Sequence, residues 1–285
     1  MKYNYLRFPD GKTKAVTLSY DDGSRHDIRL CDTLNRYGLK CTFNLVGAKI
    51  DQGTSALTKE YVENEILGRG HEIANHGYEH RALDAQRPIE AVREILDCRL
   101  VLEREFGRII RGFACPDRSI NRFKTPDIYE RVRHYMVDCD LAYARSTGGD
   151  NDTFALPEDW FHWIPTAHHD NPALFDYIDR FLSEDVNAQY RARRGPRLFY
   201  LWGHAHEFEN KGNWERLDEI CQRLSGHEDV WYATNMEIYR YVEAYRALEY
   251  SADGLCVYNP TLLTVWFDVD GVLYRIASGE TLVLE

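Results

Sequence analysis

The sequence has no C-x-x-C pair, no run of roughly 18 to 20 apolar residues and no excess of basic charge, and each absence closes a class. Its seven cysteines, at 31, 41, 98, 115, 139, 221 and 256, are an odd number without metal-finger or redox spacing. They fit reduced thiols in a cytoplasmic compartment better than a disulfide framework. The N-terminal MKYNYLRFPDGK holds no apolar stretch fit for a signal-peptide core, and nothing later has the length of a membrane span. The expectation is a soluble, cytoplasmic protein. A net charge of −11, from 46 acidic against 35 basic residues, removes nucleic acid as a partner. Low-complexity tracts and internal repeats are missing too, so neither a disordered chain nor a solenoid is expected.

What is present is an ordinary globular composition, 44% hydrophobic and 28% charged over 285 residues. Short apolar strands alternate with amphipathic helices. Strand patterns fall at 15–20, 41–46, 71–76, 109–115, 141–146, 198–203 and 230–234, most of them carrying β-branched or aromatic residues. Helical patterns fall at 26–37, 59–67, 88–106, 125–136, 172–183, 213–225 and 235–249. In the clearest, Pro88 starts the helix, Gly107 stops it, and Ile89, Val92, Leu96, Leu100 and Phe106 form one stripe. Asn235 is the expected N-cap of the last helix. A possible short strand, FHWIP, precedes PTAHHD. Repeated βα units imply a parallel sheet, either an open doubly wound sheet or a barrel. No G-x-G-x-x-G follows the first strand, which removes support for a dinucleotide-binding version. From about residue 251 the helical pattern ends and strand-like alternation takes over, with an Asp270-Gly271 hairpin signal. Residues 1–250 are thus read as one βα domain and 251–285 as a small C-terminal β appendage.

In a barrel, chemistry sits at the C-terminal ends of the strands. The first strand ends in Tyr20-Asp21-Asp22-Gly23. Two adjacent carboxylates repel each other unless a cation relieves them, and one can then bind the metal while the other stays free as a base. The third strand runs into HEIANHGYEH, where His76, Glu79 and His80 spell H-x-x-E-H. As a zinc-peptidase pattern this needs a regular helix, yet Gly77 costs a helix about 1 kcal/mol relative to Ala. His76 is therefore expected at a strand end, His80 on the following turn, and Glu79 and His71 outside the ligand set. The strand at 198–203 ends in Trp202-Gly203-His204. One Asp and two His leave open metal positions, the catalytic arrangement for zinc.

The pattern S-Y-D-D-G (19–23), H-G-Y-E-H (76–80) and L-W-G-H (201–204), in that order, resembles the polysaccharide deacetylase (NodB-homology) family. The resemblance covers about residues 12 to 245. It implies a distorted (β/α) barrel of about seven repeats and a metal-dependent hydrolase that removes an acyl, typically N-acetyl, group from a carbohydrate or related amide. A related C–N hydrolase acting on a small non-sugar amide, ureide or cyclic imide is the alternative. Carried over by position, Asp22, His76 and His80 match the metal ligands, with zinc expected and cobalt or another divalent ion possible. Asp21 matches the general base and His204 the general acid. The stretch Phe113-Ala114-Cys115-Pro116-Asp117 takes the place of the family's third motif, where the backbone N–H at the position of Asp117 helps hold the oxyanion. The arginine of that motif, which steadies the base, falls here on Ala114. Arg145, in Tyr143-Ala144-Arg145-Ser146, is expected to replace it. Trp202, His168 and His169 are the further candidates for lining the cleft around a small-molecule or oligosaccharide substrate.

Overall fold

The computed structural model describes residues 3–117, 126–147 and 149–284. Strand β1 (Asn4–Arg7) lies apart from the central sheet, which is built from β2 (Lys14–Asp21), β3 (Cys41–Leu45), β4 (Glu72–Asn75), β5 (Gly112–Ala114), β6 (Tyr143–Arg145), β7 (Ala167–His168), β8 (Arg197–Gly203) and β9 (Val230–Tyr232). All pairings in this sheet are parallel, in the order β6-β5-β4-β3-β2-β8-β7. Strand β2 is buried along its whole length, as suits a sheet covered on both faces. Its first half pairs with β9 (Lys14–Val16 with Val230–Tyr232) and its second half with β3 (Leu18–Asp21 with Cys41–Asn44). The segment 163–168 spans the two sheet edges: Trp163 bridges to Arg145 on β6, and Ala167–His168 pair with Leu201–Trp202 on β8. The result is a distorted (β/α) barrel. All seven strand patterns in the sequence form strands. The eighth, β7, is two residues long, and FHWIP is not a strand: Trp160–His162 is a 3₁₀ turn.

The helices follow the same pattern with differences at their faces and ends. Helix Asp27–Tyr37 stops at Gly38, whose φ of 67° gives the left-handed cap that glycine favours. The expected 125–136 helix spans Pro126–Asp138, and Thr125 lies outside the described residues. Helix Lys59–Tyr61 continues as a π-helical stretch, Val62–Leu67. Helix Asn235–Arg246 is capped by Thr234, not Asn235; Thr234 accepts from Glu237 N while Glu237 accepts from Thr234 N. In helix Pro88–Phe106 the expected stripe holds at Phe106 and in part at Val92 but fails at its other three positions. Ile89, Leu96 and Leu100 are exposed, and Ala91, Ile95, Cys98, Leu102 and Phe106 face inward. The reason is a close approach. Gly47, at the start of helix Gly47–Asp51, sits so near Cys98 that an added Cβ would lie 2.8 Å from the Cys98 Cα. Only the face that places the small Cys98 at this contact fits there.

The C-terminal residues form two small antiparallel sheets with strands β10 (Glu249–Tyr250), β11 (Cys256–Tyr258), β12 (Val265–Val269), β13 (Val272–Ile276) and β14 (Thr281–Val283). One sheet is β10-β11-β14; the other is β1-β12-β13, so the N-terminal strand joins the appendage. Asp270 and Gly271, at φ 52° and 94°, make the tight turn between β12 and β13. Val257, Val265, Phe267, Val269 and Ile276 pack with Ala244 of the last helix and with Leu248 just past its end. Among the described residues no helix is long and apolar enough to cross a membrane.

Candidate metal centre and active site

The suspected metal-binding and proton-transferring side chains lie at or beyond the C-terminal ends of parallel strands. Asp21 ends β2, with Asp22 and Gly23 turning away at φ 82° and 61°. His76 follows β4, Arg145 ends β6 and His204 follows β8. Residues 76–80 do not form a helix. Asn75 Oδ1 accepts from Gly77 N, and Glu94 Oε1 accepts from both Glu79 N and Arg81 N. Gly77 has a φ of 80°, and a Cβ there would meet Glu94 Oε1 at 2.7 Å. The turn thus rests on Glu94, Glu79 pairs with Arg81, and the peptidase geometry is not formed.

The turn presents two imidazoles to one carboxylate. Asp22 Oδ1 lies 3.4 Å from His80 Nε2 and 3.7 Å from His76 Nε2. His76 Nδ1 is 2.9 Å from the Ala114 carbonyl, the outer contact that fixes a ligating imidazole with its Nε2 lone pair inward. That Nε2 is buried and has no hydrogen-bond partner. One carboxylate and two imidazoles at this spacing fit a divalent cation. Asp22, His80 and Asp117 all have positive φ (82°, 62° and 55°) without being glycine, and such strain costs about 1–3 kcal/mol each. Three of the seven such non-glycine residues among the described ones thus lie where the donors converge.

Asp21 is 2% exposed and stands between charges. Arg145 Nη2 is 2.5 Å from its Oδ2, Asn44 Nδ2 donates to its Oδ1 at 2.7 Å, and His76 and His204 Nε2 are 3.7 and 3.8 Å away. Burial pushes the carboxyl pKa up, but Arg145, His76, His204 and the Asn44 amide together hold it below the usual range. The reverse holds at His204. Burial pulls its pKa down, while Glu207, 3.3 Å from Nδ1, and Asp21 leave it above the ordinary histidine value. Glu207 Oε2 also accepts from His204 N, which ties the carboxylate to the start of helix Ala205–Lys211.

The remaining candidates separate. The Asp117 carboxylate lies 3.5 Å from His80 Nδ1. Trp202 is half-buried under the Arg145 guanidinium (4.5 Å) and against His168 (4.6 Å). His169 does not line a cleft. It is fully buried, stacked on Phe208 at 4.1 Å, and burial pushes its pKa down to about 3. Sequence reasoning passed over Asn44 and gave Glu207 no catalytic role. A middle-of-strand Asn carries no signal, whereas Glu207, three residues after His204, has the spacing of a cap partner.

The first half of the chain is also similar to known proteins. The match is to the polysaccharide deacetylase family. Residues 9–137 match the family model described as Polysaccharide deacetylase. The chain is 25% identical over 143 residues to a peptidoglycan-N-acetylglucosamine deacetylase of Listeria monocytogenes, covering 49% of this chain and 29% of that protein. It is 30% identical over 128 residues to a chitooligosaccharide deacetylase of Sinorhizobium fredii, covering 43% of this chain and 53% of that protein. The chain therefore spans about a third to a half of the length of these relatives. In structure it is similar to a polysaccharide deacetylase from Mycobacterium smegmatis, with a TM-score of 0.57, 17% identity, 85% of this chain and 94% of that chain covered. That likeness establishes the fold.

Proposed function

We propose that this chain is a metal-dependent hydrolase that removes an N-acetyl or similar acyl group from a carbohydrate amide. The observation that carries the reading is Asp21, a buried carboxylate fixed by Arg145 and Asn44 with an imidazole on either side, His76 and His204. The names of the matched relatives, deacetylases of peptidoglycan and chitooligosaccharide, supply the substrate class. Asp22, His76 and His80 would hold a divalent cation, zinc first and cobalt as its substitute. When bound, such an ion supplies Lewis acidity toward the acyl carbonyl and the attacking water.

The chain's own groups supply the proton transfers. Asp21, kept ionised by Arg145, accepts the proton of the attacking water. His204, with Glu207 beside Nδ1, holds a proton at Nε2 for the departing amine, which is otherwise a poor leaving group. The Asp117 N–H is the proposed donor to the oxyanion. Its carboxylate, turned to His80, supports that ligand and stays out of the anion's way.

Acetate release from N-acetylglucosamine oligomers by zinc- or cobalt-loaded protein is the direct test. Ammonia or ring-opening from ureides, without acetate release, would replace this reading with the small-amide alternative. In the same assay His204→Ala is expected to lose about 10²–10⁴-fold in rate while retaining metal by elemental analysis. Asp22→Ala is expected to lose the metal itself.

A further inference from the structure

We infer that His169, Asp170 and Glu207 form a second divalent-cation site, on the opposite side of His204 from the Asp22 centre. His204 separates the two: its Nε2 faces Asp21 at 3.8 Å and its Nδ1 faces Glu207 at 3.3 Å. Beyond it, His169 Nε2 lies 3.2 Å from Asp170 Oδ2 and 3.3 Å from Glu207 Oε2. His169 is 0% exposed, and neither of its ring nitrogens has an aligned hydrogen-bond partner. A hydrogen bond would set one oxygen along the N–H direction. Here two oxygens stand beside that direction at nearly equal distance. Ligands about 2.0–2.2 Å from a tetrahedral ion lie about 3.3 Å from one another, which is the spacing observed.

The fold makes room for this ring. Gly203 ends β8 directly over it, and a Cβ at that position would lie 2.0 Å from His169 Nδ1. Phe208 covers one face at 4.1 Å, and Arg216 donates to the His169 carbonyl at 2.8 Å, fixing the main chain. A buried imidazole without a hydrogen-bond partner, held among carboxylates by a required glycine, is costly unless something binds there. His168 supports the site without completing it. Its Nδ1 accepts from Asp170 N at 3.2 Å, so its Nε2 carries the hydrogen and faces Glu207 Oε2 at 3.0 Å. Lys211 Nζ, 2.5 Å from Asp170 Oδ2, shares that carboxylate and makes Asp170 the weakest of the three ligands. One imidazole and two carboxylates suit zinc or manganese better than calcium.

Zinc stoichiometry after equilibrium dialysis of the apo chain, read by elemental analysis, tests the site without reference to turnover. Wild type is expected to hold two equivalents. His80→Ala, with the Asp22 centre broken, is expected to hold one, and adding Asp170→Asn to that variant should remove it. Asp170→Asn alone is expected to hold one, with an unchanged circular dichroism spectrum. A single wild-type equivalent that His80→Ala abolishes overturns the second site, as does an Asp170→Asn protein that keeps the wild-type count. If Asp170→Asn fails to fold, the His80→Ala count decides: one equivalent supports the site and none overturns it. The proposed hydrolase falls on a separate result, a wild-type count that Asp22→Ala leaves unchanged.

Discussion

At the scale of single residues, the most informative exchange lies between two arginine positions. The sequence has alanine where the related motif carries an arginine, and Arg145 arrives from the next strand to the same carboxylate. Removing it should matter in a specific direction. Without Arg145 the burial of Asp21 is opposed only by His76, His204 and the Asn44 amide, so its pKa rises. Arg145→Ala is therefore expected to lower kcat/KM and move the acid limb of its pH profile to higher pH, measured on the acetate release proposed above. An unmoved limb would leave Arg145 with a packing role only. Asp27 offers a stability test. It is fully buried at the start of its helix, bonded to Ser24, and burial raises its pKa from 3.8 to about 8. The folded chain then keeps a proton that the unfolded chain releases near 3.8, so this residue's effect on stability worsens as pH climbs from about 4 to about 8. Asp27→Asn should raise Tm most at pH 8 and above, with the gain shrinking toward pH 4.

At the scale of elements, much was legible. Seven strand patterns and the helices between them follow from periodicity, and the ends of those strands carry the residues that meet around Asp21. What stayed hidden has a common cause. Strands Asn4–Arg7 and Ala167–His168 and helix Gly47–Asp51 are too short to show a period, and long-range pairing defines them. The face of helix Pro88–Phe106 was misread because both of its faces carry apolar residues at helical spacing. The neighbour decides between them, and the neighbour is Gly47. Gly47→Ala should therefore cost about 1–3 kcal/mol, read from the urea midpoint, because the clash is with the Cys98 backbone, which cannot rotate away. The site divides similarly. Strand-end carboxylates and histidines announce themselves in order along the chain. Asn44 and the buried ring of His169 acquire meaning only from what surrounds them.

At the scale of the whole molecule, the C-terminal strands are fastened to the barrel by its own first strand. β12 pairs with β1 from Asn4↔Val269 to Arg7↔Trp266, and buried Arg7 lies 3.7 Å from Asp268. Removing residues 251–285 would unpair β1, leave Arg7 without that counter-charge and uncover Leu248. Such a truncation is expected to melt at lower temperature than the full chain and to aggregate on heating, as scanning calorimetry with light scattering would show. The same pairing has a consequence during synthesis. A ribosome delivers Asn4–Arg7 before the barrel and Val265–Val269 only after it. Until then that strand has no mate, and a nascent chain interrupted late carries an unzipped, sticky edge that quality-control proteases can recognise.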